Sequence, residues 1–477
     1  MSRKSLARLG LAFFVAFACH TTRADEPQVL EAPTLLKPDS VARRAFAARD
    51  TDGNGSLNET AFIQAAGEDD RPSDKRDFRL LEPGKPVQSN LPVNAWDKFD
   101  MPALAATPEA FPTTDFTAEG VRAIFYEGSP WHRKPTRIFA YYGAPKTPEG
   151  TKLPAMVLIH GGGGTAFHRW VRLWNQRGYA AIAMDLCGCV PEGKYGDWKR
   201  ADRGGPPGWD ASFGQIDEPI EDQWPFHAVA AVVRGHSLIQ SFPEVDPERI
   251  GVTGISWGGY LTCIVAGIDD RFRFAAPVYG CGYLGDNSAW LPALDKMGKE
   301  KAAHWLDLWD PSRYLVHATQ PMLWVNGTND FAYPMDSWKK SYKTPKNRRT
   351  LCLRVRMPHG HGAAGENPEE IHVFADAFLK ACVPLPTITN QGRNKRSVWV
   401  TYESKSSIKR GELNFTHDTG KWQDRKWETV GATIDSKVKK VTAPLPDGAT
   451  VYYFNLFDDR ECAVSSVHEE VDHAVDK

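Results

Sequence analysis

The chain has 477 residues, 42% hydrophobic and 25% charged, with 58 Lys and Arg against 59 Asp and Glu. That composition excludes a mostly disordered, collagen-like or polytopic membrane chain and allows an ordinary core. The net charge of −1 leaves no basic excess for a nucleic-acid backbone, and length alone suggests about three domains.

Arg3, Lys4 and Arg8 precede an apolar run over residues 9–18. The run is too short for a bilayer and suits a signal h-region. Thr22, Arg23 and Ala24 offer a small-residue cleavage site before Asp25. Residues 1–24 are therefore expected to be a signal peptide, and the protein to be exported to the periplasm or beyond. No transmembrane segment is expected after cleavage. Cys19 raises lipid anchoring as an alternative, but Ala16, Phe17 and Ala18 fit a lipobox poorly. Seven cysteines follow, an odd number, so at least one thiol is expected to stay free.

Residues 25–67 read as a small helix-loop-helix unit. Asp50, Asp52 and Asn54 stand at the first, third and fifth places of a loop that resembles an EF-hand. Gly55 supplies the sharp turn, Ser56 a carbonyl at the seventh place, and Leu57 the apolar eighth residue. Ala61 stands at the twelfth place, where the bidentate Glu belongs. A weak Ca²⁺ site and a metal-free remnant of one both remain open readings. Residues 68–117 are rich in Pro and charge, from Pro72 to Pro112, and read as a linker.

From residue 118 strands and helices alternate. Strands are expected at 121–126, 137–142, 156–159, 179–185, 249–253, 274–279, 322–326 and 350–355, and helices at 167–176, 222–241, 259–267 and 369–379. That alternation over residues 118–383 predicts an α/β domain with a doubly wound, mostly parallel sheet. Residues 186–215 read as a long Gly-, Pro- and Trp-rich loop. Pro384 and Pro386 mark a boundary, and residues 384–477 carry short strand-like runs that suit a small β-sandwich.

The chemistry is carried by Gly254-Ile255-Ser256-Trp257-Gly258. The five-residue pattern recurs by chance, so its context decides. Here it follows a predicted strand and opens a predicted helix, the turn that holds a serine hydroxyl out at the end of a sheet. Upstream, His160-Gly161-Gly162-Gly163-Gly164 ends another buried strand. Backbone N–H groups of Gly162 and Gly163, with that of Trp257, are candidates for an oxyanion hole. Neither a G-x-G-x-x-G spacing nor a Walker lysine supports nucleotide binding.

An acid and a base are expected later, each after a strand. Asp330 follows the strand at 322–326, and His359 and His361 follow the strand at 350–355. The order Ser, Asp, His is then complete. Between the two histidines, the Gly-His-Gly setting favours His361 as base, because a base needs loop freedom. His359 is the alternative.

With these residues in hand, the chain resembles the α/β-hydrolase superfamily over roughly residues 118–382. The stretch from Glu244 to Gly259 is similar to the elbow region of acetylxylan esterases, dienelactone-hydrolase-like proteins and prolyl-oligopeptidase-type (S9) peptidase domains. The resemblance implies a serine hydrolase with no cofactor for catalysis, working through an acyl-enzyme on Ser256. Dienelactone hydrolases use a cysteine where this chain has Ser256. Too few residues precede the domain for the propeller of S9 peptidases, an argument by fold analogy. A carboxylesterase acting on small-molecule or polysaccharide esters is the favoured expectation, an S9-type peptidase or a non-catalytic scaffold the alternatives. Trp198, Trp209 and Trp224 are candidates for a sugar-stacking platform; packing a lid is the other reading.

Overall fold

The computed structural model describes residues 95–394 and 396–471, together with the two-residue strands Leu30–Glu31 and Ser56–Leu57. Those two strands pair antiparallel, Leu30 opposite Leu57. They belong to a compact unit spanning Met1–Asp77, separate from the unit Phe78–Lys477. The expected signal peptide, the expected helices of the EF-hand-like unit and the side chains of Asp50, Asp52, Asn54 and Ser56 lie outside the described residues.

Apolar runs build the central sheet. Its strands are β1 (Ala110–Pro112), β2 (Arg122–Glu127), β3 (Arg137–Gly143), β4 (Leu153–Ile159), β5 (Ala180–Met184), β6 (Val245–Ile255), β7 (Ala275–Val278), β8 (Met322–Gly327) and β9 (Arg349–Arg354). Their spatial order is β9-β8-β7-β6-β4-β5-β3-β2-β1. From β9 to β5 all neighbours run parallel, and β3, β2 and β1 add antiparallel. Every residue of β4, β5, β7 and β8 is buried, as a parallel sheet covered on both faces demands. Helices α1 (His168–Gln176), α2 (Trp224–Gln240), α3 (Trp257–Ile268) and α4 (Glu369–Leu379) fall where the periodicity predicted them. All twelve residues of α3 are buried, so its apolar character runs all round.

The departures are local. The Pro-rich stretch supplies a short helix, Met101–Ala105, and the edge strand β1, whose Pro112 sits where no ladder N–H is required. The loop at 186–215 contains an antiparallel hairpin, Cys189–Lys194 with Asp197–Arg200, and a 3-10 segment, Trp209–Gln215. Helices Leu291–Met297, Lys299–Trp309 and Met335–Lys343 lie where no element was expected. The seven cysteines from Cys187 onward are free thiols, five of them buried.

After α4 come two antiparallel sheets. One joins Thr387–Asn394, Ser397–Glu403, Lys440–Pro444 and Thr433–Asp435; the other joins Glu428–Gly431, Ile408–Thr416, Val451–Asp458, Ala463–Ser465 and Glu469–Glu470. Val398, Val400 and Val441 of the first pack against Leu413, Phe454 and Leu456 of the second. The other face of the second sheet continues into the central core through Tyr453, Phe457 and Ala463. Beside β9, the Leu353 N–H donates to Ser465 Oγ at 2.7 Å and the Asn455 amide donates to the Leu353 carbonyl at 3.1 Å.

Candidate active site

Ser256 stands between the last residue of β6 and the first of α3, with φ +58° and ψ −118°. A non-glycine residue in that region is strained and must be held. Its own N–H donates to the Val278 carbonyl at 2.9 Å, and its carbonyl accepts from Tyr260 N–H at 2.8 Å. The flanking glycines explain the tightness. A Cβ on Gly258 would run into the carbonyl oxygen of Ile159, and one on Gly254 into that of Gly258. Trp257 is the first residue of α3, so its N–H has no partner within the helix.

Asp330 follows β8 and is buried. Its Oδ1 accepts from the N–H groups of Ala332 and Tyr333, at 3.0 and 2.8 Å, which aims Oδ2 at His359. His359 Nδ1 lies 2.7 Å from Asp330 Oδ2, and His359 Nε2 lies 2.8 Å from Ser256 Oγ. A carboxylate on one ring nitrogen places the proton there and leaves the other to accept from the serine hydroxyl. Serine, histidine and aspartate thus form one hydrogen-bonded line, able to remove a proton from Oγ as it attacks. The Tyr279 ring stacks on His359, centroids 4.6 Å apart, and Phe331 lies against it at 4.7 Å.

The preference for His361 is corrected by this placement. Two residues further along the loop, His361 turns away from Ser256. Its Nδ1 lies 2.9 Å from Glu366 Oε1, and its Nε2 accepts the Gly161 N–H at 2.9 Å. Arg169 of α1 binds the same Glu366 carboxylate through two nitrogens, at 2.7 and 3.3 Å. Burial lowers the His361 pKa against the pull of Glu366. Burial alone would raise Glu366, but its bonds to His361 and Arg169 hold it below the ordinary carboxylate value. The pair therefore reads as neutral imidazole and carboxylate. Loop freedom was the wrong criterion: the residue that reaches the serine is the one packed between aromatic rings.

The glycine loop after β4 is tied at the carbonyls of Gly161, Gly162 and Gly163. His160 Nδ1 lies 3.0 Å from the Gly161 carbonyl, while His160 Nε2 accepts the Leu186 N–H at 3.1 Å. Burial pushes His160 down to about 3, so it serves as a neutral clamp. The Tyr195 hydroxyl donates to the Gly162 carbonyl at 2.6 Å, and the Gly163 carbonyl accepts from Trp198 Nε1 at 2.8 Å and Gly196 N–H at 2.9 Å. Gly162 packs against the Trp257 indole, which brings two of the expected oxyanion-hole residues side by side. Gly163, the third, has φ +72°. Sequence reasoning missed Tyr195, Tyr279, Arg169 and Glu366; only Glu366, five residues past His361, stood close enough in the chain to be noticed.

Of the three tryptophans, Trp209 and Trp224 are buried. Trp224 donates to the Leu186 carbonyl at 2.8 Å, and its ring meets Trp257 at 5.6 Å and Trp209 at 5.7 Å. Neither offers a face to a sugar: Trp209 is buried within the 186–215 segment, and Trp224, the first residue of α2, is buried against it. Trp198, half-buried, has its indole N–H bound to the glycine loop.

Two family models match this chain. One, described as acetyl xylan esterase (AXE1), covers residues 100–292. The other, the prolyl oligopeptidase family, covers residues 218–384 and takes in Ser256, Asp330 and His359. Strand order, elbow and both matches agree. The chain has the α/β-hydrolase fold. Among curated proteins, this chain is 25% identical over 329 residues to "Uncharacterized peptidase YuxL" of Bacillus subtilis, covering 64% of this chain and 42% of that protein. It is 23% identical over 210 residues to "Acetyl esterase Axe7A" of Xylanibacter ruminicola, covering 41% and 46%. The chain thus spans less than half the length of these curated relatives. A solved acetyl xylan esterase from Paenibacillus sp. R4 is 22% identical with TM-score 0.48, covering 60% of this chain and 93% of that one. Among the described residues no helix is long and apolar enough to cross a membrane.

Proposed function

We propose that this hydrolase is an exported carboxylesterase that removes acetyl groups from carbohydrate, through an acyl-enzyme on Ser256. The observation that carries the reading is the continuous line Asp330–His359–Ser256, with bonds of 2.7 and 2.8 Å, at the start of α3. Ser256 Oγ attacks the ester carbonyl carbon as His359 Nε2 takes its proton. The carbonyl oxygen gains the negative charge, and the Trp257 and Gly162 N–H groups are the donors proposed for it. The tetrahedral adduct collapses, the C–O bond to the sugar breaks, and His359 returns the proton to the leaving oxygen. Water then enters, loses a proton to His359 and attacks the acyl-serine. Acetate leaves and Oγ regains its proton. Asp330 keeps the imidazole in the required tautomer and stabilises its charged form. No step calls for a cofactor.

The acyl preference rests on the acetyl xylan esterase match and on the relative named an acetyl esterase. Export rests on the segment from Arg3 to Ala24. A peptidase is the second reading, favoured by the prolyl oligopeptidase match and the relative named a peptidase. Acetate release from acetylated xylan, set against cleavage of a Pro-containing peptide amide, decides between them with Ser256→Ala as control. Acetate release absent in the variant supports the esterase; amide cleavage alone supports the peptidase. Silence on both, with no phosphonate labelling of Ser256, returns the scaffold reading.

A further inference from the structure

Gly161 is gripped on both sides by imidazoles that take no part in the proposed proton transfer. His361 Nε2 accepts its N–H at 2.9 Å, and the His160 Nδ1–H donates to its carbonyl at 3.0 Å. Gly161 also passes close to the nucleophile: a Cβ built on it would lie 3.1 Å from Ser256 Cβ. The next peptide leads to Gly162, which touches Trp257. The glycines of the loop carry no side chains to fix their backbone, so bonds from neighbouring residues help define where its N–H groups point. Most of those bonds come from its own surroundings, namely His160, Tyr195 and Trp198. His361 differs because it sits two residues from His359 on the same loop after β9.

We propose that His361 is a positioning residue that couples the histidine loop to the glycine loop, fixing the Gly161–Gly162 backbone for the negative charge that develops on the substrate oxygen. The inference rests on the Ser256 hydrolase reading. Glu366 receives the His361 Nδ1 proton, which leaves Nε2 as the acceptor that Gly161 needs. Arg169 anchors Glu366 to α1, the helix that the glycine loop leads into. Phe167 and Trp170 meet the His361 ring edge-on at 4.7 and 5.8 Å and fix its plane. One loop therefore carries two imidazoles with different duties. His359 moves a proton at Ser256 Oγ, and His361 holds a backbone N–H without exchanging one.

The test uses the purified protein, 4-nitrophenyl acetate and a phenylboronic acid, which forms a tetrahedral adduct on the serine. His361→Ala is expected to lower kcat roughly 10- to 100-fold, less than the roughly 100- to 1000-fold of a deleted oxyanion donor because the donors remain but are misplaced, with KM changed by no more than about twofold. Boronate affinity should fall with kcat. His361→Gln should recover most of the loss, because its amide oxygen can take the Gly161 N–H. Glu366→Gln should show a smaller fall of the same kind. Unchanged kcat in His361→Ala overturns the proposal. So does a parallel loss of kcat and substrate binding in which Gln is no better than Ala, since that marks general loosening. If His361→Ala does not fold, Glu366→Gln carries the comparison by its boronate affinity: a fall there beside near-wild-type His361→Gln supports the proposal, and wild-type affinity in Glu366→Gln overturns it. Ser256→Ala is run alongside: turnover in that variant removes the hydrolase reading itself, whereas a dead Ser256→Ala beside a fully active His361→Ala removes only this inference.

Discussion

Tyr279 lies flat against His359, with ring planes 29° apart, and its hydroxyl donates to the Pro358 carbonyl at 2.6 Å. The same residue has φ +60° at the end of β7, the strand beside the one that carries Ser256. Tyr279 therefore ties the histidine loop to the sheet by ring contact and by backbone bond. Tyr279→Phe should keep the ring contact and lose one hydrogen bond, worth about 0.5–1.5 kcal/mol. Tyr279→Leu should lose both. Steady-state kinetics on an aryl acetate should show a several-fold fall in kcat for Phe and a larger one for Leu. Equal activity in all three would mean that the imidazole is held by other contacts.

The hydrogen-bonded line makes a graded expectation for its members. Ser256→Ala and His359→Ala should each lose on the order of 10⁶-fold in kcat while remaining folded. Asp330→Asn should lose on the order of 10⁴-fold, because an amide donor facing Nδ1 favours the wrong tautomer. Circular dichroism with initial rates checks all three. An active His359→Ala would reassign the base.

Tyr195 is 42% exposed, and its hydroxyl donates to the Gly162 carbonyl at 2.6 Å. Tyr195→Phe should leave the fold unaltered and slow turnover several-fold, with thermal midpoint as the control. A shift in stability without a change in rate would make the hairpin a structural brace only.

Buried histidines should make the protein acid-sensitive. Burial lowers His160 and His372 to about 3 and His227 to about 4. In the unfolded chain an imidazole protonates near 6.5. The unfolded state thus takes up protons that the folded state refuses, so the stability these groups supply is complete above about pH 6.5 and is lost as pH falls toward 3 or 4. Each contributes on the order of 2 kcal/mol of loss by pH 5. Urea unfolding followed by tryptophan fluorescence should give a clearly lower midpoint at pH 5 than at pH 7. Matching midpoints would mean that these rings are hydrated.

The strongest sequence signals were those where local pattern and global fold agree. Gly254 to Gly258 could be read because a buried strand precedes Ser256 and an apolar helix follows it, and close backbone approach requires the glycines. Asp330 could be read from its place after β8. The choice between His359 and His361 could not, because they stand two residues apart in one glycine-rich loop and the decision depends on Glu366, Gly161 and Tyr279, which are remote or unremarkable in sequence. Trp209 and Trp224 misled because tryptophans in or beside a Gly- and Pro-rich stretch look exposed; here both rings are buried against each other. Helix Lys299–Trp309 was missed because only Trp305, Leu308 and Trp309 face inward, too few for a clear period.

The contact at Leu353 bears on how the chain can be cut. β9 ends the central sheet, and a bare terminal strand is a template for pairing with another molecule. Here the strand's N–H and carbonyl at Leu353 are met by Ser465 and Asn455, side chains from beyond the Pro384–Pro386 boundary. Removing residues 384–477 would uncover that strand along with the apolar surface now covered by Tyr453, Phe457 and Ala463. The part that carries the reacting groups would then be a sticky fragment, prone to self-association, so the last ninety-odd residues act as an intramolecular guard against aggregation.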